Sequence, residues 1–141
     1  MPRRRRVVLI EDNPADILLI REAVRHKGLA IELVSYPDVP EAIAGLEDTA
    51  SAIPDAILVD LNLPRGEGMT VIRALRGSAR LGGVPVAVLT SSESPRDLEE
   101  AERLQVTRYI HKPSTLDEFL ERVGDAVAEL VGGGTANPAS A

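Results

Sequence analysis

A chain of 141 residues with a formal net charge of −6 is long enough to bury one core, and its acidity argues against a nucleic-acid-binding module. One Phe, two Tyr and no Trp leave aliphatic side chains to build that core and few rings on which bases could stack. Without Cys there is neither a disulfide framework nor a thiolate site, and no apolar run approaches the ~18 residues of a membrane span, so a soluble, cytoplasmic protein is expected.

Residues 1–6 carry the basic run Arg3 to Arg6. It reads as a solvated N-terminal tail rather than a contact for RNA or an acidic partner, because no second basic cluster joins it. The VVLI that follows is too short for the ~7–15 apolar residues of a signal peptide. RVVLI instead predicts a strand buried on both faces. Asn13-Pro14 then supplies an N-cap and a first helical residue, Ile17, Ile20 and Val24 recur at helical spacing, and Gly28 ends the run. IELVSY alternates weakly and predicts an edge strand. A short helix follows with Val39, Ile43 and Leu46 on one face.

AILVD predicts a third strand ending at Asp60, and NLPRGEG a loop leading to a helix with Met69, Ile72 and Leu75 inward. VAVLT predicts a fourth strand ending at Thr90. The helix after Ser94-Pro95 has few apolar positions, chiefly Leu98, Ala101 and Leu104, and is expected to be the most weakly anchored. RYIHK is the last strand; Ser114, with Asp117 three residues on, predicts the N-cap of a final helix bearing Leu116, Leu120, Val123, Val127 and Leu130. Residues 132–141, Gly/Ala/Pro/Ser-rich, are expected to form a flexible C-terminal tail. Five strands alternating with five helices imply a doubly wound parallel α/β sheet.

Parallel strands place their carboxyl ends on one edge, where open α/β sheets bind ligands. Glu11 and Asp12 end the first strand, Asp60 the third, Thr90 the fourth, and Lys112 follows the fifth. Singly, each could be a helix cap, a turn residue or a solvated strand end. Jointly they place three acids, a hydroxyl and an ammonium around one point. Repulsion among the acids would be relieved by a hard divalent cation such as Mg²⁺. In that arrangement Asp12 and Asp60 bind the metal, Glu11 holds a metal-bound water, and Asp60 attacks phosphorus. Lys112 neutralises growing charge, and Thr90 donates to a phosphoryl oxygen.

The strings VVLIEDNPADILLI, ILVDLNLPRGEG, VLTSS and YIHKP resemble the receiver domain of two-component response regulators, over residues 7–131. The resemblance implies a flavodoxin-like (βα)5 fold of strand order 2-1-3-4-5 and phosphorylation of Asp60 by a sensor histidine kinase. It also implies Mg²⁺ held by Asp12, Asp60 and the backbone carbonyl of Asn62, with Glu11 in support. Thr90 and Tyr109 would be the switch pair, and Asn62 and Ser92 would tune the lifetime of the acyl phosphate. Such a domain is a phosphoacceptor in a phosphorelay, with only self-phosphorylation and autodephosphorylation as activity. One departure is Gly66-Glu67-Gly68, where the family often has Met-Asp-Gly. The EDNPADILLIREA start looks most like single-domain regulators partnered with phytochrome kinases. In those relatives the face of the fourth helix, fifth strand and fifth helix can form homodimers, here through Leu98, Leu104, Tyr109, Ile110 and Phe119.

Two other readings compete. A phosphatase of the haloacid-dehalogenase type also uses an Asp nucleophile and Mg²⁺, but needs a second acid two residues later as general acid, where Asn62 stands. A phosphorylation-independent interaction module would have no reason to keep the full acid, Thr and Lys set. A nucleotide-binding loop fares worse, because G-x-x-x-x-G-K-[ST] is missing and Gly66-Glu67-Gly68 is followed by Val71 where a third Gly would stand. His26 and His111 are expected at the surface, not as ligands.

Overall fold

A computed structural model describes residues 4–63 and 67–132. The strands are Arg5–Ile10 (β1), Ile31–Tyr36 (β2), Ala56–Asp60 (β3), Val86–Thr90 (β4) and Arg108–His111 (β5). Helices Pro14–His26 (α1), Val39–Glu47 (α2), Glu67–Gly77 (α3), Pro95–Arg103 (α4) and Leu116–Gly132 (α5) alternate with them. All neighbouring strands pair in parallel, in the order β2-β1-β3-β4-β5. The expected doubly wound topology is therefore the observed one.

Alternation along the central strands divides the core into two layers. Val7, Leu9, Leu58, Ala87 and Leu89 face α1 and α5, where Ile20, Ala23, Val24, Val123 and Val127 meet them. Val8, Ile10, Ile57, Val59, Val86 and Val88 face the other way, against Ala42 and Leu46 of α2 and Met69, Ile72 and Leu75 of α3. β3 and β4 are buried along their whole length, as strands covered on both faces must be. β2 is an edge strand, as expected, buried only at Ile31, and β5 forms the other edge.

The caps follow local chemistry. Asn13 Oδ1 accepts from the backbone N–H groups of Ala15 and Asp16, and Pro14 opens α1. Gly28, at φ +66°, takes the left-handed turn that ends it. Ser94 caps α4, whose one buried residue is Ala101 and whose Leu98 stays 42% exposed. The weak anchoring expected of this helix is thus observed.

Several expectations are corrected. β1 starts at Arg5, inside the segment read as a tail, because Arg5 pairs with Ile31 and the Arg6 N–H donates to Asp55 Oδ2 at 2.7 Å. α5 is capped by Thr115 and not Ser114. The Thr115 hydroxyl accepts from the Glu118 N–H, as an N-cap does, and donates to Glu118 Oε1, both at 3.2 Å. The helix presents Phe119 to the core, 4% exposed, while Leu116, the first residue of the expected apolar stripe, is 58% exposed. The expected dimer surface has two of its five members inside the core: Ile110 and Phe119, each 4% exposed, lie in the α1/α5 layer, packed under their own domain. Apart from Gly132, the expected C-terminal tail lies outside the described residues.

Arg76 ties the far end of the domain together. Its guanidinium donates to the carbonyls of Leu104, Gly82, Val84 and Gln105 at 2.9–3.1 Å, joining the end of α3 to the segments before β4 and after α4. Gln105 holds a positive φ of 57° there. Truncating Arg76 to Ala strands four carbonyls and is expected to cost about 2 kcal/mol in denaturant unfolding. Lys, a point donor in place of a planar fork, should recover less than half of that. An Ala variant of unchanged midpoint would remove this role.

Candidate functional site

The register brings the polar strand ends together. Ile10 lies beside Val59 and Asp60 beside Leu89, so Glu11, Asp60 and Thr90 leave the sheet side by side. The Lys112 N–H donates to the Thr90 carbonyl at 2.7 Å, which fixes the backbone of Lys112 at the same edge. Glu11, Asp12 and Asp60 offer carboxylate oxygens all within 4.8 Å of one another. Glu11 is fully buried and Asp60 is 2% exposed, whereas Asp12 faces solvent. The Lys112 ammonium stands 3.4 Å from Asp60 Oδ2 and 3.7 Å from Glu11 Oε1. The structure thus brings Glu11, Asp12, Asp60, Thr90 and Lys112 to one edge of the sheet.

The electrostatics are those of a crowded anionic pocket. Burial, then hydrogen bonding with the Asp60 carboxyl, then the Asp60 charge push Glu11 up to about 8, against the smaller opposing pull of Lys112. Burial would lower the Lys112 ammonium, but Asp16, Glu11 and Asp60 together outweigh it and hold it above the usual lysine range. Glu11 Oε2 accepts from the Asn13 N–H at 3.2 Å, while Oε1 receives no hydrogen-bond donor. A buried carboxylate oxygen without a donor, beside two further carboxylates, is a donor set suited to a hard divalent cation.

Thr90 is fully buried and held from two sides. Its Oγ1 accepts from the Ser92 N–H at 2.9 Å and lies 3.4 Å from Asn62 Oδ1. Asn62 Oδ1 also accepts from the Ser91 N–H at 2.8 Å and the Ser91 hydroxyl at 3.0 Å. The Asn62 N–H in turn donates to Asp60 Oδ1 at 2.8 Å. Asn62 thus connects the Asp60 carboxylate to the loop after β4. From that loop the Ser92 hydroxyl reaches Asp97 Oδ2 at 3.2 Å, in the first turn of α4. Tyr109 packs against the α2/α3 layer with a buried hydroxyl that has no hydrogen-bond partner. Burial and then the Asp97 charge hold that phenol above the usual tyrosine range.

Gly68 explains why α3 can begin so close to the site. A Cβ there would stand 2.7 Å from the Asp60 carbonyl and 2.9 Å from Leu61 Cα, so the helix approaches the Asp60 backbone only through a glycine. Of Gly66-Glu67-Gly68, Gly66 lies outside the described residues. His26 meets Glu121 and His111 meets the exposed Glu93, both histidines at the surface. The contact that sequence reasoning missed is Asp16, whose Oδ2 lies 2.6 Å from Lys112 Nζ. Its signal was available: Asp16 lies one helical turn after Asp12, on the first turn of a helix that starts at the site.

Five parallel strands in this order, with an acid cluster, a hydroxyl and an ammonium at their carboxyl edge, define a receiver-type α/β domain. The family model described as response regulator receiver domain matches residues 7–124, and the chain belongs to that family. Among curated relatives, the "Probable methanogenesis regulatory protein FilR2" of Methanothrix harundinacea is 32% identical over 138 residues, covering 96% of this chain and 88% of that protein. Response regulator Rcp1 of Synechocystis sp. is 31% identical over 121 residues, 83% of this chain and 82% of that one. The crystal structure of the phosphorylated cyanobacterial phytochrome response regulator RcpA matches with a TM-score of 0.85 at 32% identity, covering 93% of this chain and 96% of its own. The Mn²⁺-bound form of Rcp1 matches with a TM-score of 0.80 at 30% identity, over 88% and 92% of the two chains. Among the described residues no helix is long and apolar enough to cross a membrane.

Proposed function

We propose that this receiver domain accepts a phosphoryl group on Asp60 from the phosphohistidine of a sensor histidine kinase and thereby switches its contacts with other proteins. The observation that carries the reading is the setting of Asp60: 2% exposed, 3.4 Å from the Lys112 ammonium and grouped with two further carboxylates. Asp12 and Asp60 would hold Mg²⁺ with the Asn62 carbonyl, and Glu11 would support the metal's water. Bound there, the metal supplies charge neutralisation for an anion arriving among anions.

An Asp60 carboxylate oxygen attacks phosphorus, the bond from phosphorus to the imidazole nitrogen breaks, and the electron pair leaves on the ring. Lys112 and Thr90 face the transferred oxygens, the ammonium by charge and the hydroxyl by a hydrogen bond. To donate inward, Thr90 gives up its place between Asn62 and Ser92. The loop after β4 moves with it, and α4, held by little apolar surface, is the element able to follow. Tyr109, beside that layer, is the second switch residue.

The donor proposed is a phytochrome-type kinase, on the likeness to RcpA, and the setting is cytoplasmic. The domain acts as a stoichiometric acceptor, not a turnover enzyme. Incubation with Mg²⁺ and acetyl phosphate, followed by intact mass, should add one phosphoryl group. Repeated hydrolysis of a generic phosphoester would favour a phosphatase instead. Mass unchanged under both conditions would leave an interaction module that takes no phosphate.

A further inference from the structure

Lys112 has more anions around it than phosphoryl acceptance requires. Its shortest contact, 2.6 Å, is to Asp16 Oδ2, ahead of Asp60 at 3.4 Å and Glu11 at 3.7 Å. Both side chains of that short pair are mostly buried, Lys112 at 14% exposure and Asp16 at 20%. The position of Asp16 is set by the helix start: the Asn13 cap receives the Asp16 N–H, so the backbone of this carboxylate is fixed in the first turn of α1. Asp16 is not one of the three acids whose oxygens converge for a cation.

We propose that Asp16 is a positioning residue, the dedicated counter-ion that holds the Lys112 ammonium at the wall of the pocket and keeps it from competing with a divalent cation for Glu11 and Asp60. The inference rests on the reading of Asp60 as a metal-assisted phosphoacceptor and deepens it. An ammonium and a divalent cation both seek the same two buried carboxylates, and each contact one makes is denied to the other. A short charge-assisted hydrogen bond to a carboxylate outside the metal group settles that competition. At 3.4 Å from Asp60 Oδ2 the ammonium is beyond a close hydrogen bond, yet near enough to meet a phosphoryl oxygen by a small movement. Without Asp16, Lys112 closes onto Glu11 and Asp60 and must be displaced before metal enters.

Loss of a negative charge near the pocket would also weaken metal binding with no help from Lys112, and a double-mutant cycle separates the two causes. Mn²⁺ binding to the full chain is followed through the electron paramagnetic resonance of the free ion, at fixed pH and salt. Asp16→Asn should weaken binding about tenfold and Asp16→Glu should restore it to within about threefold. Lys112→Met alone should tighten binding. In that background Asp16→Asn should change affinity by less than about twofold. An equal loss in both backgrounds, or no loss in the native background, overturns the role of Asp16. Circular dichroism verifies that the variants are folded; if Asp16→Asn is not, Asp16→Ser takes its place in the cycle. A native protein that binds no Mn²⁺, or binds it independently of Asp60, defeats the reading of the site itself. Normal binding with an additive cycle defeats only Asp16.

Discussion

Stripped of metal by chelation, the protein is expected to lose stability as pH rises from about 4.5 to 8, and Mg²⁺ is expected to abolish that loss. The sign comes from Glu11. Its carboxyl is pushed up from 4.5 to about 8 by burial and by Asp60, so across this window the folded protein holds a proton that the unfolded chain has released. Stability falls with pH wherever the native state binds more protons. Below about 4.5 both states are protonated and nothing further is gained; above about 8 both are ionised and the loss is complete. The raised Lys112 and Tyr109 shifts act above the window and the lowered Glu121 below it, so none of them supplies this slope. The drop should be a few kcal/mol, on the order of one for each pH unit traversed. A divalent cation binds the ionised carboxylates, so its contribution grows as protons leave, opposing the trend. Melting temperatures in chelator and in Mg²⁺ at several pH values provide the check. A metal-free melting temperature that climbs through the window, or a slope that survives Glu11→Gln, would contradict the assignment.

The second large effect is a separation of stability from function at Asp60. Asp60→Asn should abolish phosphoryl transfer from acetyl phosphate while stabilising the metal-free fold by about 1–2 kcal/mol. The amide keeps the oxygen that accepts from the Asn62 N–H and removes a charge that is 2% exposed beside the buried Glu11. Its NH₂ also offers a donor to Glu11 Oε1, which lacks one. Lys112 retains Asp16 at 2.6 Å, so no buried ammonium is orphaned by the change. Urea unfolding in chelator measures the first half and intact mass the second. A destabilised Asn variant would mean that the native carboxylate is paired better than its surroundings imply, and a variant that still takes phosphate would place the acceptor elsewhere.

The fold was legible because its signals were local and mutually consistent. β-branched runs ended by acids were strands buried on both faces, and Asn13-Pro14 and Ser94-Pro95 opened helices where the caps are found. The convergence of Glu11, Asp12, Asp60, Thr90 and Lys112 followed from parallel strands alone, since topology puts their ends on one edge. What escaped was decided by one local choice of cap and otherwise by tertiary contact. Thr115 rather than Ser114 is the cap because it exchanges two hydrogen bonds with Glu118, and packing against the sheet leaves Phe119 4% and Leu116 58% exposed. Arg5 joined β1 because Ile31 of β2 was there to pair with it. Asp16 looked like an ordinary first-turn helix acid until the fold brought Lys112 beside it, and the hydrogen bonds that tie the Asn62 side chain to Ser91 are likewise visible only in the fold.

Phosphoacceptance at Asp60 is tested most directly by mapping the modified residue. The protein is incubated with acetyl phosphate and Mg²⁺, reduced with borohydride to trap any acyl phosphate as an alcohol, digested and sequenced by mass spectrometry. Homoserine at position 60, formed only when Mg²⁺ and acetyl phosphate are both present, is the expected result. A trapped residue at another position, or an Asp60 that emerges unmodified under conditions where Mn²⁺ binding is demonstrated, would contradict it.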